Sequence, residues 1–77
     1  MIDYDSPVPA YRQIAGVLRG EIESGERAPG SRLPSITTLM QEYGVARVTA
    51  SKALRLLVTE GLAEMSTGMG TYVKRPG

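Results

Sequence analysis

Hydrophobic side chains recur every three or four residues in three stretches of this chain, which is the spacing of one face of an α-helix. The first stretch follows prolines at positions 7 and 9 and predicts a helix over about residues 9–24. The second begins at Ser35, a residue suited to capping, and predicts a helix over about 35–43 that stops at Gly44. The third predicts a helix over about 47–60 that stops at Gly61. The positions expected to face a core are Tyr11, Ile14, Ala15, Leu18 and Ile22, then Ile36, Leu39, Met40 and Tyr43, and finally Ala50, Ala53, Leu54 and Leu57.

The pattern changes after Gly61, where two short β-compatible stretches surround the sequence Thr67-Gly68-Met69-Gly70. Glycine adopts the positive φ angles that a hairpin tip requires, so this region predicts a two-stranded wing over about 62–74. An isolated hairpin is marginally stable in water, and we expect this one to pack on the helices through Leu62, Tyr72 and Val73. Residues 1–77 are therefore predicted to form one winged helix-turn-helix domain, mainly α with a small β-hairpin (α+β), with three helices followed by the wing.

The composition argues against an enzyme. The chain has 77 residues and contains neither cysteine nor histidine, so it lacks thiol nucleophiles, imidazole bases and the usual zinc ligands. We expect no metal, no cofactor and no small-molecule site in so short a chain. No apolar run approaches the roughly 18 residues of a membrane span, and the acidic start does not resemble a secretory signal, so we expect a cytoplasmic, nucleoid-associated protein without membrane contact.

The net charge of +1 is too small to indicate a partner, but its distribution is uneven. Residues 1–31 carry three basic and five acidic side chains, whereas residues 32–77 carry six basic and three acidic ones. The second half is thus better suited to meeting phosphates, although so short a chain can also show this asymmetry by ordinary sampling.

The third helix carries the candidate recognition residues. Its outward face holds Val48, Lys52, Arg55 and Thr59 beside Ser51, and no acidic residue interrupts it before Glu60. Arg47 can contact guanine with two hydrogen bonds or grip a phosphate, and Val48 suits a thymine methyl group. A plain solvated helix surface is the alternative explanation. Ser35 is likewise either a helix cap alone or also a phosphate contact, and Gly68 is first of all a turn residue.

Three blocks of sequence resemble the N-terminal domain of GntR-type bacterial transcription regulators. They are Pro9-Ala10-Tyr11-Arg12-Gln13-Ile14-Ala15 in the first helix, the turn Pro29-Gly30-Ser31-Arg32-Leu33-Pro34-Ser35, and Gly68-Met69-Gly70-Thr71-Tyr72-Val73 in the wing. A shorter match, Glu60-Gly61-Leu62, lies between the turn and the wing. The resemblance covers Pro9 to Val73 and implies sequence-specific binding to double-stranded DNA as a homodimer on a palindromic operator. The recognition helix would enter the major groove, and the wing would lie against the adjacent minor groove or backbone. Carried over by position, the contacts would come from Ser35, Thr37, Arg47, Val48, Thr49, Ser51, Lys52, Thr67 and Gly68.

The chain departs from the family pattern at several of these places. Ile36-Thr37-Thr38 replaces the typical Glu-Arg-Glu, which removes a charged contact and weakens the reciprocal cap by about 1 kcal/mol or less. Ala46-Arg47-Val48-Thr49 replaces Ser-Arg-Thr-Thr, and the wing tip carries no charge. We therefore expect fewer phosphate contacts and a shallower salt dependence than in a typical relative.

These departures keep a second interpretation open, that of a winged-helix protein–protein interaction module with reduced DNA binding. GntR-type regulators also resemble a two-part switch, with an effector-binding domain after the wing. The residues leave open whether this sequence is a piece of such a protein or acts alone. They also leave open the operator, the effector, and whether transcription is repressed or activated.

Overall fold

The computed structural model describes residues 2–66, 68 and 70–75, which form three helices and then an antiparallel hairpin. The elements are α1 (Ala10–Glu23), α2 (Ile36–Tyr43), α3 (Arg47–Thr59), β1 (Ala63–Ser66) and β2 (Gly70–Val73). Each helix end lies within one residue of the end predicted from the sequence. The winged helix-turn-helix fold predicted from the sequence is confirmed.

The ends of α2 show why the hydrophobic pattern stops where it does. Ser35 has extended backbone angles, and its Oγ accepts a hydrogen bond from the Thr38 N–H at 3.0 Å. At the other end Gly44 adopts a left-handed conformation with φ of 65°, and its N–H donates to the Met40 carbonyl at 2.9 Å. A side chain at position 44 would be strained in this conformation, so glycine sets the length of the helix.

The core lies between α1 and α3, with α2 and the wing packed against α3. All four residues predicted for the inner face of α3 are buried, as are Ile14, Ala15 and Leu18 of α1. The sequence predicted four core-facing residues in α2, but Leu39 is the one that is buried. Ile36, Met40 and Tyr43 are partly buried. A two-turn helix packed mainly on one neighbour covers only a narrow stripe of its surface.

The segment before α1 is joined to the helix by the side chain of Gln13. Its Oε1 accepts a hydrogen bond from the Asp3 N–H, and its Nε2 donates to the carbonyls of Asp3 and Val8, each at 2.8 Å. Ile2 is buried against the core as a result. The helical spacing of the sequence gave no indication of this contact.

The wing is a hairpin in which Ala63 pairs with Val73 and Ser66 pairs with Gly70. Because side chains alternate along a strand, Thr71 and Val73 face the helices and are buried, whereas Tyr72 between them lies on the other face and is half-buried. The expectation that Tyr72 and Val73 both pack inward was therefore wrong.

A third extended segment completes the sheet. The Leu33 N–H donates to the Thr71 carbonyl and the Val73 N–H donates to the Ser31 carbonyl, both at 2.8 Å, with Arg32 opposite Tyr72. Leu33 is buried in consequence. This pairing supports a hairpin that two short strands alone would leave marginal.

Candidate nucleic-acid interface

The N-terminal half of α3 presents most of its predicted recognition residues to solvent. Arg47, Val48 and Lys52 are exposed, whereas Thr49 and Ser51 are half-buried. Val48 is 62% exposed, which leaves its methyl groups free to contact a partner. The structure therefore places these five residues together at one end of the helix.

Arg47 is the first residue of α3, and Ala46 before it supplies no side-chain cap. Among the residues that the structure describes, no carboxylate pairs with Arg47. No hydrogen bond from its guanidinium is formed within the described part of the chain, so its five donors can bind a guanine edge or a phosphate in the planar arrangement that both match.

Ser51 is less available than the sequence suggested. Its Oγ accepts a hydrogen bond from Arg55 Nη2 at 3.4 Å, one turn further along the helix. The contact is long and exposed, so it directs the Arg55 guanidinium toward the recognition end of α3 without holding it firmly.

Lys52 lies against an aromatic ring that the sequence assigned to the core. Its Nζ is 5.6 Å from the centre of the Tyr11 ring, and the Arg12 Cζ is 5.7 Å from the same centre. Arg12 Nε also donates to the Tyr11 hydroxyl at 3.2 Å. Tyr11 thus holds a cation of α1 and a cation of α3 at one edge of the interface. Helical spacing placed Tyr11 on the core-facing stripe of α1 and gave no indication of its contact with Lys52, which depends on how α1 crosses α3.

The start of α2 contributes two exposed hydroxyl groups, those of Ser35 and Thr37. Ser35 Oγ caps the helix and also donates to Thr38 Oγ1 at 2.9 Å. Thr38 Oγ1 thus accepts from the Ser35 side chain, whereas the glutamate of a reciprocal cap accepts from the backbone N–H of the capping residue. Thr37 makes no such contact with the described part of the chain and is open to a partner.

The wing tip is described only in part. Gly68 is exposed and has φ of 74°, as a tight hairpin turn requires. Thr67, the other predicted wing contact, lies outside the described residues. Ser66 beside it is exposed and uncharged.

Two carboxylates are neutralised by arginines of the same domain. Glu60 at the end of α3 accepts two hydrogen bonds from Arg19 of α1, both at 2.9 Å, and Glu21 pairs with Arg27 at 2.6 Å. The hydrogen bond to Glu60 raises the pKa of the Arg19 guanidinium above its ordinary value. α3 itself contains no acidic residue, and this pairing compensates the charge of Glu60 directly after it.

The sequence of this winged helix matches a known family over residues 10–73, described as bacterial regulatory proteins of the gntR family. The match runs from the first residue of α1 to the last residue of β2. The chain belongs to the gntR family. Its helices and wing are those of the family's DNA-binding domain rather than of an enzyme.

Individual members of the gntR family resemble the chain closely. It is 50% identical over 66 residues to the mannosyl-D-glycerate transport/metabolism system repressor MngR of Escherichia coli (strain K12), covering 86% of this chain and 28% of MngR. Its structure is similar to that of YtrA from Sulfolobus acidocaldarius, a GntR-family transcription factor, with a TM-score of 0.91 and 38% identity over all of this chain and 81% of that one.

Another protein of similar structure has been solved in complex with an operator. The DNA-binding domain of AraR in complex with an operator matches with a TM-score of 0.83 and 33% identity, over 95% of this chain and 88% of that one.

The chain spans less than a third of the length of MngR, the curated relative described above. Within the described residues, no helix is long and apolar enough to cross a membrane, and no three acidic side chains cluster as metal ligands would.

Proposed function

We propose that this chain is the operator-binding domain of a transcription regulator and that it reads double-stranded DNA chiefly with the N-terminal half of α3. That half enters the major groove, and the wing lies against the adjacent minor groove or backbone. The observation that carries the proposal is the exposed end of α3, where Arg47, Val48 and Lys52 project from a helix whose sequence contains no acidic residue. The similar AraR domain has been solved in complex with an operator, which supports double-stranded DNA as the partner.

The residues of α3 divide by chemistry into those that read bases and those that grip the backbone. Arg47 donates two hydrogen bonds to a guanine or holds a phosphate, and Val48 packs on a thymine methyl group. Thr49 and Ser51 offer short hydroxyl contacts, while Lys52 supplies a charge to a phosphate. Ser51 Oγ accepts weakly from Arg55, which leaves its hydroxyl proton to donate to the DNA.

The start of α2 and the wing hold the DNA on either side of the recognition helix. Thr37 meets a phosphate through its hydroxyl group, and Ser35 does so by exchanging its hydroxyl bond to Thr38 Oγ1 for one to a phosphate oxygen. Thr67 and Gly68 bring the wing tip to the groove. None of these four carries a charge, so they position the domain while contributing little to the salt dependence of binding.

Binding as a homodimer to a palindromic operator is the second part of the proposal. A single domain of this size neutralises few phosphates and bears the full entropic cost of association alone, so two linked copies bind far more tightly than one. Two-fold symmetry of the protein then requires two inverted half-sites. Selection of bound duplexes from a random pool, together with light scattering of the complex, tests this: inverted repeats and a 2:1 complex are expected, and a single unrepeated site with a 1:1 complex would contradict it.

The reading role of α3 is tested by titrating a selected duplex with the chain and its variants by fluorescence anisotropy. Replacing Arg47 by alanine should weaken binding by about 1–3 kcal/mol and relax sequence preference at one base pair. Lys52→Ala should weaken binding to all sequences alike. Lys74→Ala serves as the control for charge, because Lys74 is also exposed but follows β2 at the end of the wing remote from the tip.

Far-UV circular dichroism of each variant establishes that it is folded. Loss of the selected-sequence preference in the folded Arg47 variant, with Lys74→Ala close to the parent, is the expected outcome. Equal binding by all four proteins would refute the assignment of α3 as the reading element and would favour a protein-interaction role for this face.

A further inference from the structure

Arg32 lies outside the recognition helix, but its side chain is placed against the wing. Its guanidinium covers Gly70, the first residue of β2, so closely that a Cβ built at position 70 would lie 2.9 Å from Arg32 Nε. Gly70 also has φ of 113°, an angle that residues other than glycine rarely adopt. Both features keep this position open for the arginine.

The side chain of Arg32 points toward the tip of the wing. Its backbone is opposite Tyr72, yet its guanidinium lies over Gly70, which is two residues nearer the tip along β2. Leu33 is opposite Thr71, so the chain itself advances toward the tip before it reaches Ser35 and α2. Arg32 therefore lies between the start of α2 and the wing tip, two regions already proposed to contact DNA.

The charge of Arg32 is uncompensated. Arg32 is exposed, and among residues 2–66, 68 and 70–75 no carboxylate forms an ion pair with it. Arg19 and Arg27, by contrast, are each paired with a glutamate. A guanidinium that is ordered against the backbone and still exposed loses less conformational entropy when it binds an anion than a freely moving one does.

We propose that Arg32 is the phosphate-binding cation of the wing, supplied from the neighbouring strand because the tip itself carries no charge. The inference rests on the proposed DNA binding and adds to it a residue outside the contacts described above. It also changes one expectation from the sequence, since the wing then makes a charged backbone contact despite its uncharged tip. A phosphate contact of this kind strengthens binding to every sequence equally.

Arg75 provides an internal comparison. Its guanidinium packs on Gly30 as Arg32 packs on Gly70, with a Cβ built at position 30 lying 2.7 Å from Arg75 Nε. However, the Gly30 N–H donates to the carbonyl of Val73, at the end of β2 remote from the tip. The two arginines thus share a packing arrangement and differ in their distance from the proposed DNA surface.

The test measures the dissociation constant of the 77-residue chain for a selected duplex over a series of potassium chloride concentrations. Arg32→Gln should reduce the slope of log K against log salt by about 0.9, the value for one lost phosphate contact, and weaken binding about eightfold at 0.1 M salt. Arg32→Lys should retain the slope. Arg75→Gln should leave both slope and affinity close to the parent.

Each outcome has a defined meaning. An unchanged slope and affinity for folded Arg32→Gln, or an equal loss for Arg75→Gln, would overturn the inference. If Arg47→Ala still relaxes sequence preference in that experiment, the proposed function stands and Arg32 alone fails. Absence of salt-dependent binding by the parent chain would instead overturn the proposed function. A thermal melt of Arg32→Gln that matches that of the parent excludes unfolding as the cause of a reduced slope. If the two melts differ, Arg32→Lys is used instead, because it keeps the positive charge and should retain the slope of the parent.

Discussion

Replacing Ser35 by alanine should destabilise the domain by about 1 kcal/mol through the loss of one helix cap. Ser35 Oγ accepts from the Thr38 N–H at 3.0 Å, and that N–H is one of the donors at the start of α2 that the helix itself cannot satisfy. Ser35 is exposed, so water partly replaces the lost bond and the cost stays well below that of a buried unpaired group. The hydroxyl pair with Thr38 Oγ1 at 2.9 Å adds a smaller amount.

Thermal and urea unfolding, followed by circular dichroism at the helix band, measure this cost. For a domain of this size, about 1 kcal/mol corresponds to a fall in Tm of about 4–8 °C. Thr37→Ala is the matched control, because Thr37 lies in the same turn, is exposed and makes no cap. Its effect should be within about 0.5 kcal/mol of zero.

The Thr38→Val variant separates the two hydrogen bonds. It removes the hydroxyl partner and retains the N–H, so it should cost less than Ser35→Ala. A Ser35→Ala variant as stable as Thr37→Ala would refute the reasoning, because the bond to the Thr38 N–H would then contribute nothing to the stability of α2.

Three further perturbations test the core, the helix pairing and the pH response. Leu57→Ala, at a fully buried position of α3, should cost about 2–5 kcal/mol in urea unfolding, a large part of the total for a domain this small, whereas exposed Val17→Ala should cost little. Arg19→Met and Glu60→Gln should show a coupling of about 0.2–1 kcal/mol in a double-mutant cycle, since both side chains are about one-third exposed. A coupling near zero would show that the ion pair does not contribute to the free energy of unfolding. Burial first, then the charges of Glu21 and Glu42, raises the pKa of Tyr43 above its ordinary value of 10.0, so the folded state holds this proton more tightly than the unfolded state does. The resulting stability is complete below that ordinary value and is lost as the pH rises through the raised pKa; Tyr43→Phe should lessen the alkaline loss in urea titrations, and an unchanged loss would contradict this.

Local signals were sufficient for the order and extent of the elements. The buried face of α3 follows from helical spacing, and the ends of α2 follow from Ser35 and Gly44, because a cap and a left-handed glycine act within a few residues of themselves. The family resemblance added the expectation that the third helix reads DNA, and the match over residues 10–73 confirms the family.

Contacts between distant parts of the chain were the ones that the sequence did not predict. The hydrogen bonds of the Gln13 side chain join residues ten positions apart, and the strand around Arg32 pairs with β2 forty positions away. The approach of Lys52 to Tyr11 depends on the crossing of two helices. None of these contacts produces a periodic pattern in the sequence, because each partner considered alone is compatible with a surface or loop position.

The segment that pairs with β2 leads within two residues into the cap of α2, and this has a mechanical consequence. The hydrogen bonds of Leu33 and Val73 fasten the wing to the same stretch of backbone that begins the helix. The hairpin therefore cannot swing independently of α2, and a displacement of either is transmitted to the other. Amide hydrogen exchange at Leu33 and Val73 should accordingly occur through one shared opening event, with equal protection and an equal response to denaturant. A domain fastened in this way meets its partner as one preformed shape.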